Sequence, residues 1–236
     1  MSTVSGGWRG PNIVKDGLIF YYDAGSPNSY YPPNLSLNWK DIGGNGNVAT
    51  LINGPTFSGE NGGNFYLDGN NDYISLGSSS AGSGTSDYTI EIFVKTVDTV
   101  GKSFVGRGRD GAGSGWSINL GTDNGNYPAF GVVTTSPFTS YYAISTTPLQ
   151  TNVWYHLVGV YDYSTSVNIY VNGVLDKTNS APGLTLRSST EGFNIGSIGV
   201  GTTFKFNIAN LKIYNRTLTL GEIQQNFNAT KTKFGL

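Results

Sequence analysis

The sequence contains no cysteine, one histidine, one methionine at its start and only four glutamates among 236 residues. Without cysteine there is no disulfide framework, no thiolate nucleophile and no cysteine-based zinc site. Charged residues supply 12% of the chain, about half of the roughly 25% usual in soluble domains. Helices take their solvent faces from Lys, Glu and Arg, so this shortage excludes an all-helical fold. Lys and Arg together number 14 against 15 for Asp and Glu, which leaves no basic surplus to meet phosphates and argues against nucleic acid as a partner. No apolar run is long enough to cross a bilayer, and residues 1–10 lack the apolar stretch of a signal peptide. The expectation is therefore no membrane insertion and synthesis in a cytoplasm.

What the chain has in excess is glycine, 34 residues, with 15 Tyr and 12 Phe. Glycine serves tight turns and aromatics suit pleated, half-buried surfaces, so the class read from composition is all-β. At this length a sandwich can fold as one domain around a sizeable core. Alternating or short apolar runs separated by turn residues predict strands at 18–22, 64–67, 73–76, 88–95, 102–107, 116–120, 129–133, 141–145, 154–161, 167–171, 174–177, 193–198 and 208–214. Asn172-Gly173 between two such runs predicts a hairpin with a type I′ turn. Thr219 and Glu222 have capping-box spacing, and Leu220, Ile223 and Phe227 follow on one face, which predicts a single C-terminal helix covering an edge or end of the sandwich. The organisation read from this is an extended arm over 1–14, a jelly-roll sandwich over 15–218, and a helix and tail over 219–236 packed on it.

The residues that could carry chemistry are few. A glycoside hydrolase needs two facing carboxyl groups about 5–10 Å apart, and none of Glu60, Glu91, Glu191 and Glu222 is followed by another acid at strand spacing. Glu91 alone lies inside a strong strand, and alternation with Ile90, Ile92 and Val94 reads it as an outward, solvated residue. His156 sits mid-strand with no Gly-x-Ser-x-Gly elbow in the chain, and reads as structural. The expectation is no enzymatic activity and no catalytic residue. Asp68-Gly69-Asn70-Asn71-Asp72 supplies four oxygen-bearing side chains in five residues, with Asp68 and Asp72 the candidate ligands for a structural calcium, and Asp123-Asn124-Gly125-Asn126 forms a smaller cluster. The same residues are ordinary turn formers, and that reading is favoured. Carbohydrate recognition uses exposed aromatic faces with amide and carboxylate partners. In Tyr30-Tyr31 and Tyr141-Tyr142, neighbours on a strand point opposite ways, so one of each pair is core and the other, Tyr31 or Tyr142, is the glycan-binding candidate.

Three segments then resemble laminin-G-like, concanavalin A-like jelly rolls. They are Phe65-Tyr66-Leu67-Asp68-Gly69-Asn70-Asn71-Asp72-Tyr73-Ile74, the stretch from Trp154 to Asp162 followed by Ile169-Tyr170-Val171-Asn172-Gly173, and Leu211-Lys212-Ile213-Tyr214-Asn215-Arg216-Thr217-Leu218-Thr219 with Glu222-Ile223. The resemblance covers roughly residues 17–228 and implies an antiparallel two-sheet jelly roll. That fold serves lectins, hydrolases, adhesion modules and virion proteins alike. Where the family often carries Gly-x-Ile-Asp with the Asp on calcium, this chain has Phe206-Asn207-Ile208-Ala209, and the glucanase strand Glu-x-Asp-x-x-Glu is missing.

A narrower resemblance links residues 9–18, Asn53-Gly54-Pro55-Thr56-Phe57 and residues 226–235 to jelly-roll proteins of tailed bacteriophages. It implies a non-enzymatic virion protein, a capsid decoration, a fibre subunit or a tail-associated adhesin, assembled in the host cytoplasm. In that reading Trp8, Pro11 and Phe234 anchor the chain to other virion proteins, host surface glycans are a second class of partner, and self-association into a homo-oligomer is a third.

Overall fold

The computed structural model describes residues 12–32, 36–77, 86–99, 101–108, 116–123, 125–134, 139–183, 185–187, 192–197 and 203–236. Among them the strands are β1 (Leu18–Asp23), β2 (Asn38–Lys40), β3 (Val48–Ile52), β4 (Thr56–Ser58), β5 (Asn64–Asp68), β6 (Tyr73–Ser75), β7 (Tyr88–Thr96) and β8 (Lys102–Gly108). They continue as β9 (Trp116–Thr122), β10 (Pro128–Val133), β11 (Ser140–Ile144), β12 (Trp154–Asp162), β13 (Ser166–Val171), β14 (Val174–Ser180), β15 (Phe193–Ile195) and β16 (Lys205–Tyr214). One helix, α1 (Leu220–Thr230), runs into a 3-10 turn, Lys231–Phe234. Every predicted strand is present. β2, β3 and β4 were not foreseen; two of them have three residues each, too few for alternation to register.

The strands form two antiparallel sheets. The first has the order β14-β13-β12-β7-β16-β5-β4, with β1 also paired to β16, and the second has the order β11-β10-β9-β8-β15-β6-β3-β2. This is the expected jelly-roll sandwich. β16 shifts register between Ile208 and Asn210, which lets its first half pair with β5 and its second with β1. The β13–β14 turn has Asn172 at φ 50 and Gly173 at φ 77, the two positive angles of a type I′ turn. Between the sheets lie Phe20, Trp39, Phe65, Ile90, Ile92, Phe104, Ile118, Leu120, Phe130 and Leu211, all buried. Packing there is close enough that a Cβ on Gly159 of β12 would come within 2.2 Å of the Phe130 ring.

The outer face of the first sheet is covered too, and this corrects two expectations. α1 and the turn after it lie over a face of the sandwich, not an edge or end. Val158, Val160, Tyr214, Leu218 and Ile223 cluster with Val14 on one side of the helix, and Phe93, Trp154, Ala209 and Phe234 cluster on the other. Glu91 points outward from β7 as alternation requires, but it is fully buried beneath the helix and not solvated. One carboxylate oxygen lies 2.7 Å from Lys212 Nζ, and the other accepts 2.7 Å from Asn226 Nδ2 on α1. The Asn226 amide also donates to the Tyr214 hydroxyl at 2.9 Å, and its oxygen accepts from the Val14 amide at 2.8 Å. Val14, read as the end of an arm, is thus held in the fold. Leu220 stays 46% exposed, so the inward face is Ile223, Asn226, Phe227 and Thr230.

The helix start is capped as its spacing predicts. Thr219 Oγ1 accepts from the Glu222 amide at 3.3 Å, and Glu222 Oε2 accepts from the Thr219 amide at 2.9 Å. Arg216 grips the same carboxylate through both terminal nitrogens, at 2.9 and 2.6 Å. His156 Nε2 sits 3.2 Å from Glu91, and its ring packs between Phe93 and Phe227 at 4.7 and 5.3 Å. Burial pushes the His156 imidazole below its ordinary pKa against the pull of Glu91. Burial alone would raise Glu91, but Lys212 and His156 outweigh it and hold the carboxyl at about 2.

Both shifts make acid destabilising. The unfolded chain takes up a proton on His156 near pH 6.5 while the folded chain resists, and Glu91 adds a second loss between about pH 4.3 and its folded value of about 2. Urea unfolding at about pH 7.5, 5.5 and 4 is expected to show stability falling at each step, with the first step much reduced in His156→Gln. Glu91→Ala, which strands Lys212 in the interior, is expected to cost about 3–5 kcal/mol at neutral pH.

Candidate functional site

The outer face of the second sheet carries no helix among the described residues. On β9 Ile118 and Leu120 face the core, so Asn119 faces outward. On β10 Phe130 and Val132 are core, which leaves Ala129 and Gly131 outward. On β11 Ala143 is core and Tyr142 and Ile144 point out. The registers Gly131↔Asn119 and Gly131↔Tyr142 bring these side chains into one row across three strands. With nothing larger than a methyl group at Ala129 and Gly131 of β10, the row is a trough. It opens as a cavity of about 290 Å³ lined by Asn119, Thr122, Asp123, Ala129, Gly131, Tyr142 and Ile144. A second cavity of about 300 Å³ shares Asn119, Thr122 and Asp123 and extends toward Lys102, Ser103 and Phe204. Together they form one groove at the lower end of the size range of small-ligand sites.

The polar groups of the groove are placed by hydrogen bonds. Ser103 donates its hydroxyl to Asn119 Oδ1, which leaves the Asn119 amide nitrogen to donate outward. Thr122 Oγ1 accepts from the Lys102 amide at 3.1 Å. Lys102 is buried, and its ammonium pairs with Asp98. Asp123 stands at the start of the β9–β10 loop, its amide bonded to the Tyr127 carbonyl at 3.0 Å and its carbonyl to the Asn126 amide at 3.1 Å. The Asp123 Oδ1 atom is shielded from water and accepts no hydrogen bond. The far wall is fixed from the other sheet. Asn179 of β14 donates to the Tyr142 carbonyl at 3.0 Å, and Asp176 of β14 accepts from the Ser145 and Thr146 hydroxyls. Chemically, the groove offers an aromatic and an aliphatic side wall, amide and hydroxyl groups along its length, and one carboxylate.

The structure separates the residues singled out from sequence. Tyr142 is 39% exposed and lines the groove, while Tyr141 packs against the core. Tyr31 is 52% exposed, with Tyr30 buried against Phe57 and Phe65, but it lines neither cavity. Asp68 spends its oxygens on the turn, accepting from the Asn70 amide at 2.8 Å and side chain at 3.0 Å. Asp72 accepts from the Asp68 amide at 3.1 Å, and burial raises its carboxyl. Among the described residues no three Asp, Glu or His side chains converge as a metal site. Phe234, expected as an anchor to a neighbour, stacks instead on Phe93 at 4.7 Å and packs tilted against Trp154 at 4.8 Å within its own fold. The Phe234 ring is drawn under although Lys231 and Lys233 beside it are polar, because the sheet face there is otherwise uncovered. Trp8 and Pro11 lie outside the described residues. Asn119 and Gly131 were not singled out, and Asp123 only as part of a turn-like oxygen cluster, since no local motif joins three strands.

A family model described as the concanavalin A-like lectin/glucanases superfamily matches residues 68–224. No curated protein matches. Among solved structures, the binding domain of Paraclostridial Mosquitocidal Protein 1 superposes with a TM-score of 0.70 at 16% identity over 91% of this chain and 52% of that one. The botulinum neurotoxin serotype G binding domain gives 0.68 at 17% identity, over 89% of this chain and 50% of that one. This chain therefore spans about half the length of both. Domain 4 of the extracellular arabinanase AbnA from Geobacillus stearothermophilus, solved with arabinotriose, gives 0.64 at 23% identity and is covered over 97% of its length, against 89% here. At these identities the likeness establishes the fold.

The turn assignment of Asp72 has a direct check. Asp72→Ala is expected to lower stability by about 1–2 kcal/mol through the orphaned Asp68 amide, and the melting temperature of the native chain is expected to be the same in calcium and in chelator. A rise of several degrees with calcium would reverse the assignment.

Proposed function

The chain belongs to the concanavalin A-like lectin/glucanase superfamily, and from that premise we propose that it is a non-catalytic carbohydrate-binding protein whose site is the groove across β9, β10 and β11. The observation that carries this is the trough itself: Tyr142 and Ile144 stand beside a floor of Ala129 and Gly131, with Asn119, Thr122 and Asp123 along its length. A pyranose or furanose has an apolar face and a rim of hydroxyls, and such a trough meets both at once. The arabinanase domain solved with arabinotriose supports the reading at the level of fold. A hydrolase needs two carboxyl groups across the scissile bond. Asp123 is the one carboxylate among the described lining residues, which supports binding without turnover.

The setting we assign to this activity is the virion of a tailed bacteriophage, with the domain displayed on a capsid, fibre or tail. The support is the resemblance carried by residues 9–18, 53–57 and 226–235. Residues 12–14 dock beside α1, where Gln225 reaches the Asn12 carbonyl at 2.5 Å, on the covered face opposite the groove. That arrangement suits attachment on one side and recognition on the other.

On a glycan array the protein is expected to bind a defined set of oligosaccharides. Tyr142→Ala is expected to weaken that binding at least about tenfold, whereas Tyr31→Ala leaves it unchanged. Absence of binding to any glycan, or equal effects of the two substitutions, would count against the groove. Deleting residues 1–11 is expected to abolish incorporation into particles while leaving the melting temperature within about two degrees; retained incorporation would remove the arm as the attachment.

A further inference from the structure

On the footing of the glycan-binding reading above, we infer that the groove selects uncharged sugars, and that Asp123 is the specificity-determining residue that turns anionic ones away. Asp123 borders both cavities, so a ligand in either half of the groove lies near its carboxylate. Lys102 is the only cation among the described lining residues. Its side chain is 2% exposed and its ammonium is committed to Asp98. The groove therefore holds one balanced ion pair and one carboxylate with no ion-pair partner among the described residues.

The position of that carboxylate strengthens its field. Asp123 Oδ1 is shielded from water and accepts no hydrogen bond, so on that side of the carboxylate neither water nor a protein donor offsets the charge. A sialic acid or uronate carboxyl in the groove would face it across a few ångströms in a partly desolvated trough, where like charges repel more strongly than in bulk water. A neutral sugar meets the same groups favourably. Its hydroxyls can donate to the carboxylate and accept from the Asn119 amide nitrogen, which the Ser103 hydroxyl holds by taking Oδ1. At the acid group of a carboxylate sugar the first of these contacts is lost, because an ionised carboxyl only accepts. The preference thus arises from one unbalanced charge and not from shape, since Ala129 and Gly131 leave the floor open to either kind of sugar.

The test uses the full chain and an array on which each neutral oligosaccharide is printed beside its sialylated and uronate-terminated counterparts, at about 0.05 M salt. The neutral member of each bound pair is expected to bind about tenfold more tightly. Asp123→Asn is expected to shrink that gap to about threefold or less, with Asp123→Ser as a second variant and thermal melts confirming that both are folded. Acidic sugars binding as well as their neutral partners would overturn the charge preference while leaving glycan binding intact. An undiminished gap in both folded variants would overturn the role of Asp123. Absence of binding to every member of every pair would overturn the glycan-binding reading and this inference with it.

Discussion

A carboxylate buried with no access to water has to be neutralised and hydrogen-bonded, and the arrangement around Glu91 follows from that requirement. Its two oxygens are satisfied by Lys212 from the neighbouring strand and by Asn226 from α1. The second of these partners lies 135 residues away in the chain, so the helix cannot leave the sheet without exposing half of the ion pair's hydrogen bonds and emptying the space around His156, Phe93 and Phe227. Asn226 binds Val14 as well. One amide side chain therefore ties the N-terminal segment, the C-terminal helix and the central strands together. Breaking such a buried network costs more than its net contribution to folding, since the groups left behind stay desolvated.

That constraint also decides which face of the sandwich is free. The first sheet is closed by α1 and the turn carrying Phe234, making three layers where two were expected. The second sheet is closed only on its inner side among the described residues, and its outer face at β9–β11 keeps Tyr142, Asn119 and Asp123 accessible. The two halves are mechanically linked, because β14 of the first sheet holds β11 through Asn179 and the residue after that strand, Ser145, through Asp176. Rigid side walls around a floor of alanine and glycine reduce the ordering cost of binding a flexible ligand.

The segments that identified the fold are scaffold. The stretch from Phe65 to Ile74 forms β5 and β6, the Trp154 motif forms β12 with the β13–β14 turn behind it, and the Leu211 motif forms β16 and the capped start of α1. Their Tyr, Asn, Arg and Glu side chains make turns, caps and the cover of the first sheet, and their spacing is legible because those contacts are local. The groove has no such signature. Asn119, Gly131 and Tyr142 come from three strands and meet only through register. Tyr142 could be named from the pairing of a core and an exposed tyrosine, but the same argument named Tyr31 equally.

Scarcity of charge, abundance of glycine and aromatics, period-two apolar runs and the Asn172-Gly173 turn were sufficient by themselves for an all-β sandwich with one capped helix. Each is a matter of composition or of neighbours a few residues apart. Alternation also placed Glu91 on the outer side of β7 correctly. Whether that side met water depended on where a helix more than a hundred residues later would dock. The same holds for the buried Phe234, the covered Val14 and the Asp123 carboxylate facing an open trough. Burial is set by what lies across a face, and only the tertiary structure supplies that.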